Sequence, residues 1–189
     1  MQRSEAVPVC FQCCIKERNY NAFYAQILAR LCSQDLDKKR IFRLAVKKCV
    51  TERLADEDAT QLTVKNTSKL CVDLVRHGAV PFVTAIRCVD FTSAAPGTPS
   101  YAFLHGLLDT FFHSSFEKQS FQRLVAEPLL KSQNRKTGTS IVLFAKHMYD
   151  NGKRVSIGEE EDGVKVKGCG IYKLADLQPR LDMLSSGLI

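Results

Sequence analysis

CCIKERNYNAFYAQILARLC, residues 13–32, carries two cysteines at one end and a third at the other. Between them lie a charged, asparagine-bearing break and a run of aromatic and aliphatic side chains. Residues 16–21 read as a junction between two helices, because Asn19 or Asn21 can cap the second. Tyr20, Phe23 or Tyr24, Ile27 or Leu28, and Leu31 then recur at helical spacing as one apolar stripe. The stretch predicts a helix hairpin whose aromatic-rich second arm buries this stripe against a first helix that holds Cys10, Cys13 and Cys14.

The alternative for these thiols is chemistry. Cys10 and Cys13 form one C-x-x-C. A structural zinc site needs four ligands, commonly two such pairs or one pair plus two closely spaced histidines. His77, His105, His113 and His147 are too scattered to complete it. A redox C-x-x-C normally follows a strand of a βαβ unit, and none is legible here. Cys10 lies three and four residues from Cys13 and Cys14, as packing on one helix face requires, and free cysteine behaves as a small hydrophobe. Core packing is therefore expected, with a zinc- or thiol-dependent regulator as the competing reading and no cofactor called for. No G-x-S-x-G, G-x-x-x-x-G-K-[ST] or H-E-x-x-H is present. GTPS (97–100) reads as a cap and turn, not a nucleotide loop. No enzymatic activity is expected.

Outward from the hairpin, helical spacing recurs at Phe42/Ala45/Val46/Cys49, from Val64 through Cys71, Leu74 and Val75 to His77, and at Phe82/Ala85/Ile86/Val89. It recurs again at Tyr101/Leu104/Leu108/Phe112 and at Ile141/Phe144/Ala145/Met148. The punctuation agrees. Asp35 can cap a helix starting near Leu36, Gly78 can end one, and Pro81 suits the first turn of the next. Thr98 is an N-cap with Pro99 at the first helical position. Pro128 is expected to end the segment holding Phe121, Leu124 and Val125, and KSQNRKTGTS (131–140) reads as a polar connector. The expected fold is all-α: about eight helices in a HEAT-like stack of antiparallel pairs over residues 1–150. Residues 151–189 are rich in glycine and charge. They read as a mostly irregular tail, with a candidate hairpin near 153–167 and a short helix around 174–184.

The 189 residues carry a net charge of +7 and are 45% hydrophobic, which excludes global disorder. Residues 151–189 hold six basic and six acidic side chains, so the excess lies wholly in 1–150. The amino-terminal MQRSEAVPVC is polar and broken by Pro8, unlike a secretory leader. No apolar run approaches the ~18–20 residues of a membrane span, so no membrane partner is expected. Reduced thiols in cytosol or nucleus follow. Arg40, Arg43 and Lys47 recur at i, i+3, i+7, on the side expected to face away from Phe42/Val46/Cys49. With Lys38, Lys39 and Lys48 they make one helix strongly cationic. The face reads either as a solvated surface or as a contact for RNA phosphates or an acidic protein. Lys131, Arg135 and Lys136 form a second cluster. Neither has an aromatic on its cationic side, so base stacking is not suggested.

The opening stretch resembles the MA-3 domain of the nucleolar proteins that carry a middle domain of initiation factor 4G (human NOM and yeast Sgd type). The matching residues are Cys13, Cys14, Lys16, Glu17, Tyr20, Asn21, Phe23, Tyr24, Ala25, Leu31 and Cys32, with a weaker continuation through NTSKLCVDLVRHGAVPFVTAIRCVDF (66–91) and coverage of about residues 6–150. Of these, Cys13, Cys14, Tyr20, Phe23, Tyr24, Leu31 and Cys32 are the expected motif core. The resemblance implies a HEAT-like stack, nucleolar residence, and a role in small-subunit ribosome biogenesis and pre-18S RNA processing. Implied partners are assembly factors in pre-ribosomal particles, a DEAD-box helicase of initiation-factor-4A type, pre-rRNA, and a protein phosphatase. KRVSI (153–157) has the shape of a phosphatase-docking sequence, with Ile157 where Phe or Trp is preferred. The family's domain usually begins with further helices before the Cys-Cys helix; these and the middle domain have no counterpart in this sequence. The spliceosomal family with the same two domains has a similar aromatic helix and is the runner-up. CVDF (88–91) and Asn21 favour the nucleolar branch.

Overall fold

The computed structural model describes residues 3–33, 39–113, 116–158 and 174–188. Among these there is no strand; the architecture is all-α, helix packed on helix, as a HEAT-like stack requires. The chain divides into two compact units, Met1–Thr110 and Phe111–Ile189. This division differs from the boundary expected at residue 150.

In the first unit, α1 (Arg3–Lys16) packs on α2 (Phe23–Ser33), α3 (Lys39–Leu54) and α4 (Gln61–Arg76). Pro8 lies inside α1 and does not break it. Val7, Phe11, Cys14 and Ile15 are buried there, and their packing outweighs the missing N–H. The junction after α1 is built as expected: Asn21 Oδ1 accepts from the Phe23 N–H at 3.0 Å, opening α2.

The centre of this unit is α4, capped by Thr60, whose hydroxyl accepts from the Thr63 N–H at 3.2 Å. It buries Val64, Leu70, Cys71, Val72, Leu74 and Val75, and with them the polar Asn66, Thr67 and Ser68. The polar three are satisfied. Asn66 Nδ2 donates to the Glu17 carbonyl at 2.8 Å and the Cys14 carbonyl at 3.4 Å. It thus supplies partners at the end of α1, where helix carbonyls run short of them and the Cys14 carbonyl accepts besides only from the Glu17 N–H at 3.4 Å among the backbone bonds. Gly78 takes φ 70 just after α4, and the Ala79 N–H returns to the Leu74 carbonyl at 3.0 Å. This left-handed closure suits glycine.

The next helix, α5 (Phe82–Ile86), is only five residues long. The expected spacing reached Val89, which is buried but sits in the turn after it. Thr98 caps α6 (Pro99–Phe112), accepting from the Tyr101 N–H at 3.2 Å.

In the second unit, α7 (Lys118–Phe121), a π turn (Gln122–Ala126) and α8 (Glu127–Leu130) follow without interruption. Pro128 therefore does not end the segment. The wide turn removes the clash its ring would make with the carbonyl four residues back. The expected connector 131–140 is mostly helical too: a 3-10 turn (Ser132–Asn134) leads into α9 (Arg135–Gly158). Buried Asn134 donates from Nδ2 to the Pro128 carbonyl at 2.6 Å and so closes the corner.

The tail reading needs the largest correction. Residues 151–158 continue α9, so the hairpin does not start at 153, and KRVSI is helical rather than extended. The rest of that hairpin lies outside the described residues. The helix expected around 174–184 is α10 (Leu174–Leu188), which packs on α8 and α9 with Leu181 and Leu184 buried. Arg180, also buried, donates to the carbonyls of Phe111 and Phe116 and lies 4.9 Å from the Phe121 ring centroid.

Candidate interaction surface on helices α1 and α3

The cationic helix is α3, but its predicted residues do not share one face. Arg40, Lys47 and Lys48 are exposed and Lys39 is half-buried; Lys38 lies outside the described residues, as do Asp35 and Leu36. Arg43 is half-buried and donates from Nε to the Ala79 carbonyl at 3.3 Å. It sits close to the buried Phe42/Val46/Val50 line on the helix surface rather than opposite it. Arg43 is a structural residue, and the cationic surface is Arg40, Lys47 and Lys48.

The outward side of α3 also holds Ile41, 54% exposed, and Leu44, 57% exposed. Ile41, Leu44 and Lys48 stand at i, i+3, i+7, one stripe along the helix. Beside it runs a groove of about 360 Å³ lined by Pro8 and Gln12 of α1, Ala45, Lys48, Cys49, Glu52 and Arg53 of α3, and Asp56. Val9, next to Pro8, is 53% exposed. Lys48 belongs to both stripe and groove, and its 3.7 Å pair with Glu52 is exposed; such a pair adds little stability. At the far end Arg53 pairs with Asp56 at 2.7 Å. The Arg53 Nε is buried without a hydrogen-bond partner among the described residues. Ile41 and Leu44 are thus flanked by Arg40, Lys47 and Lys48, while toward the carboxy-terminal end of α3 the Glu52 and Asp56 carboxylates are each paired with a cation. The second cluster, Lys131, Arg135 and Lys136, is exposed.

The motif residues divide. Cys14 and Cys32 are buried, and Cys32 Sγ lies 3.6 Å from the Ala79 carbonyl it donates to. Tyr20 is half-buried and its hydroxyl donates to Asp73 Oδ2 at 2.6 Å. Burial, then this hydrogen bond, pushes the phenol's pKa well up. Tyr24 donates to Glu17 Oε1 at 2.9 Å. Leu31 and Ile27 are half-buried. Phe23, 58% exposed, and Cys13, exposed, are not core residues. The buried line of α2 is Ala25, Leu28 and Cys32, so of the expected stripe Leu28 is buried while Ile27 and Leu31 lie at its edge. Burial raises the Cys10 thiol and pushes Cys14 up to about 12, so both stay protonated and poorly nucleophilic near neutral pH. Among the described residues no group of three or more His, Cys, Asp or Glu could hold a metal ion.

Sequence reasoning missed Asn66, Asp73, Arg180 and the groove. Ile41 and Leu44 carried a usable signal, since they fall off the Phe42/Val46 line. Pro8 and Gln12 carried none; only the docking of α1 on α3 brings them to Ala45 and Cys49.

Fold and surface together describe a helical module with a built interhelical groove. Among known proteins, the chain is similar to the mouse (Mus musculus) protein named "Nucleolar MIF4G domain-containing protein 1", at 26% identity over 92 residues. That stretch is 48% of this chain and 10% of the mouse protein, so the chain spans about a tenth of the relative's length. No protein-family profile matches the chain, and no solved structure matches it. Among the described residues no helix is long and apolar enough to cross a membrane.

Proposed function

We propose that this chain is a non-enzymatic binding module of small ribosomal subunit biogenesis, acting in the nucleolus within particles that process pre-18S rRNA. The observation that carries the reading is the partial likeness to a nucleolar MIF4G-domain protein. The all-helical packing is in keeping with it. The mechanism is equilibrium binding: helix faces hold assembly factors, a DEAD-box helicase of initiation-factor-4A type or pre-rRNA in place. Arg40, Lys47 and Lys48 supply a salt-sensitive contribution to attraction and on-rate.

Affinity purification of the tagged chain from cells tests the proposal. Co-purification of U3-containing pre-ribosomes with 18S precursors is the expected result. Recovery of spliceosomal RNAs instead would move the chain to the splicing branch and end the biogenesis reading.

A further inference from the structure

We infer that the α1/α3 groove, with the Ile41–Leu44 stripe beside it, is a docking site for an amphipathic helical segment of a protein partner whose polar flanks are acidic. The inference rests on the binding-module reading only in taking binding, not catalysis, as the chain's work.

The argument starts from what the surface would lose in water. Ile41 and Leu44 are more than half exposed on the outward side of a well-formed helix, and the groove beside them has Pro8, Ala45 and Cys49 in its wall. A channel between two packed helices, extended by residues at i, i+3 and i+4, is the shape that receives a third helix by its apolar face. The 16 residues of α3 rise roughly 24 Å at 1.5 Å each, room for an occupant of about four turns.

Charge selects the occupant. Arg40, Lys47 and Lys48 flank the aliphatic residues, so carboxylates on the occupant's edges find partners along that half. Nucleic acid fits less well: a phosphate backbone leaves Ile41 and Leu44 without apolar partners, and no aromatic on this face offers a stacking platform. A second copy would bring two cationic faces together in a chain of net charge +7, which repels.

The test is a display library of 16-residue helical segments of varied charge, selected on the full chain and counter-selected on Leu44→Asp. Enriched clones are expected to be acidic, with aliphatic residues at i, i+3 or i+4, and i+7. In fluorescence anisotropy, a labelled enriched peptide should bind Ile41→Asp and Leu44→Asp at least tenfold more weakly. Arg40→Glu/Lys47→Glu should weaken it several-fold, and added salt should erase that second difference. Leu44→Ser, a milder change, should also weaken binding while circular dichroism and the urea midpoint stay at the parent values. The inference is overturned if no clone depends on Leu44, or if the enriched clones are basic or lack the aliphatic spacing. Displacement of the peptide by an oligouridine at equal concentration would overturn it in favour of nucleic acid. A dimer in sedimentation equilibrium that Leu44→Asp dissociates would overturn it in favour of a second copy. Should Leu44→Asp bring down the same pre-ribosomal particles as the parent while no clone is selected, the groove inference fails and the biogenesis reading stands. Selected clones with no pre-ribosomal recovery give the reverse.

Discussion

Phe23 belongs to the motif that carries the family resemblance, yet its side chain is 58% exposed. Truncation to alanine should therefore change stability by less than ~1 kcal/mol, where a buried phenylalanine would cost ~3–5. A urea melt distinguishes the two. Asn66 is the opposite case. Its amide holds the Cys14 and Glu17 carbonyls, and Asn66→Ala, which leaves them without that partner, should cost ~1–3 kcal/mol. His105 gives a pH signature. Burial lowers its pKa below the ordinary 6.5, against a smaller opposing pull from Asp109. The unfolded chain then binds the proton more readily, so this contribution to stability is present above the ordinary value. It is lost as pH falls through that value toward the folded one. The urea midpoint should drop as the pH is taken below the ordinary 6.5, and His105→Gln should shrink the drop.

At the scale of elements, close approach and docking decide most of the geometry. A Cβ added at Gly106 would collide with Ser68 Oγ and stand 3.1 Å from Ser68 Cβ, where α6 meets α4. Gly106→Ala gains up to ~1 kcal/mol of helix propensity but overpacks by ~1–3. The net expectation is a lower melting temperature, and a raised one would show that the two helices can separate freely. Arg180 fastens α10 by two backbone carbonyls and the face of Phe121. Replacing it with leucine leaves those carbonyls without that donor. Amide exchange across 174–188 should accelerate before the rest of the chain responds, which hydrogen-exchange mass spectrometry reads directly.

For the whole molecule, the question is which cations are free to meet a partner. Arg40→Glu/Lys47→Glu should leave the fold within ~0.5 kcal/mol, as surface changes do. Arg43→Glu should destabilise it, because that guanidinium serves the Ala79 carbonyl. If RNA phosphates meet the exposed pair, each lost contact lowers the slope of log affinity against log salt by ~0.7–0.9. The loss would be alike for unrelated RNA sequences, because phosphate contacts carry no code. An unchanged slope with an altered protein partner list favours an acidic protein.

What was legible in the sequence was the part governed by local rules. Helix period, the caps at Asn21 and Thr98 and the glycine at 78 each act within a few residues, so the all-α class and most helix positions followed from them. The exceptions share a cause. Pro8 and Pro128 sit inside continuous helical segments, one held by buried Val7 and Phe11, the other preceded by a π turn. The helix expected around 174–184 is present and runs on to 188, but the sequence did not show that Arg180, Leu181 and Leu184 are buried. Periodicity says that a helix has an apolar side; it does not say which neighbour covers it. The way the helices dock decided that Arg43 turns toward the Ala79 carbonyl, that Phe23 and Cys13 turn outward, and that Ile41 and Leu44 remain uncovered beside the α1/α3 groove. Those outcomes depend on contacts between residues distant in the chain, and only the tertiary structure contains them.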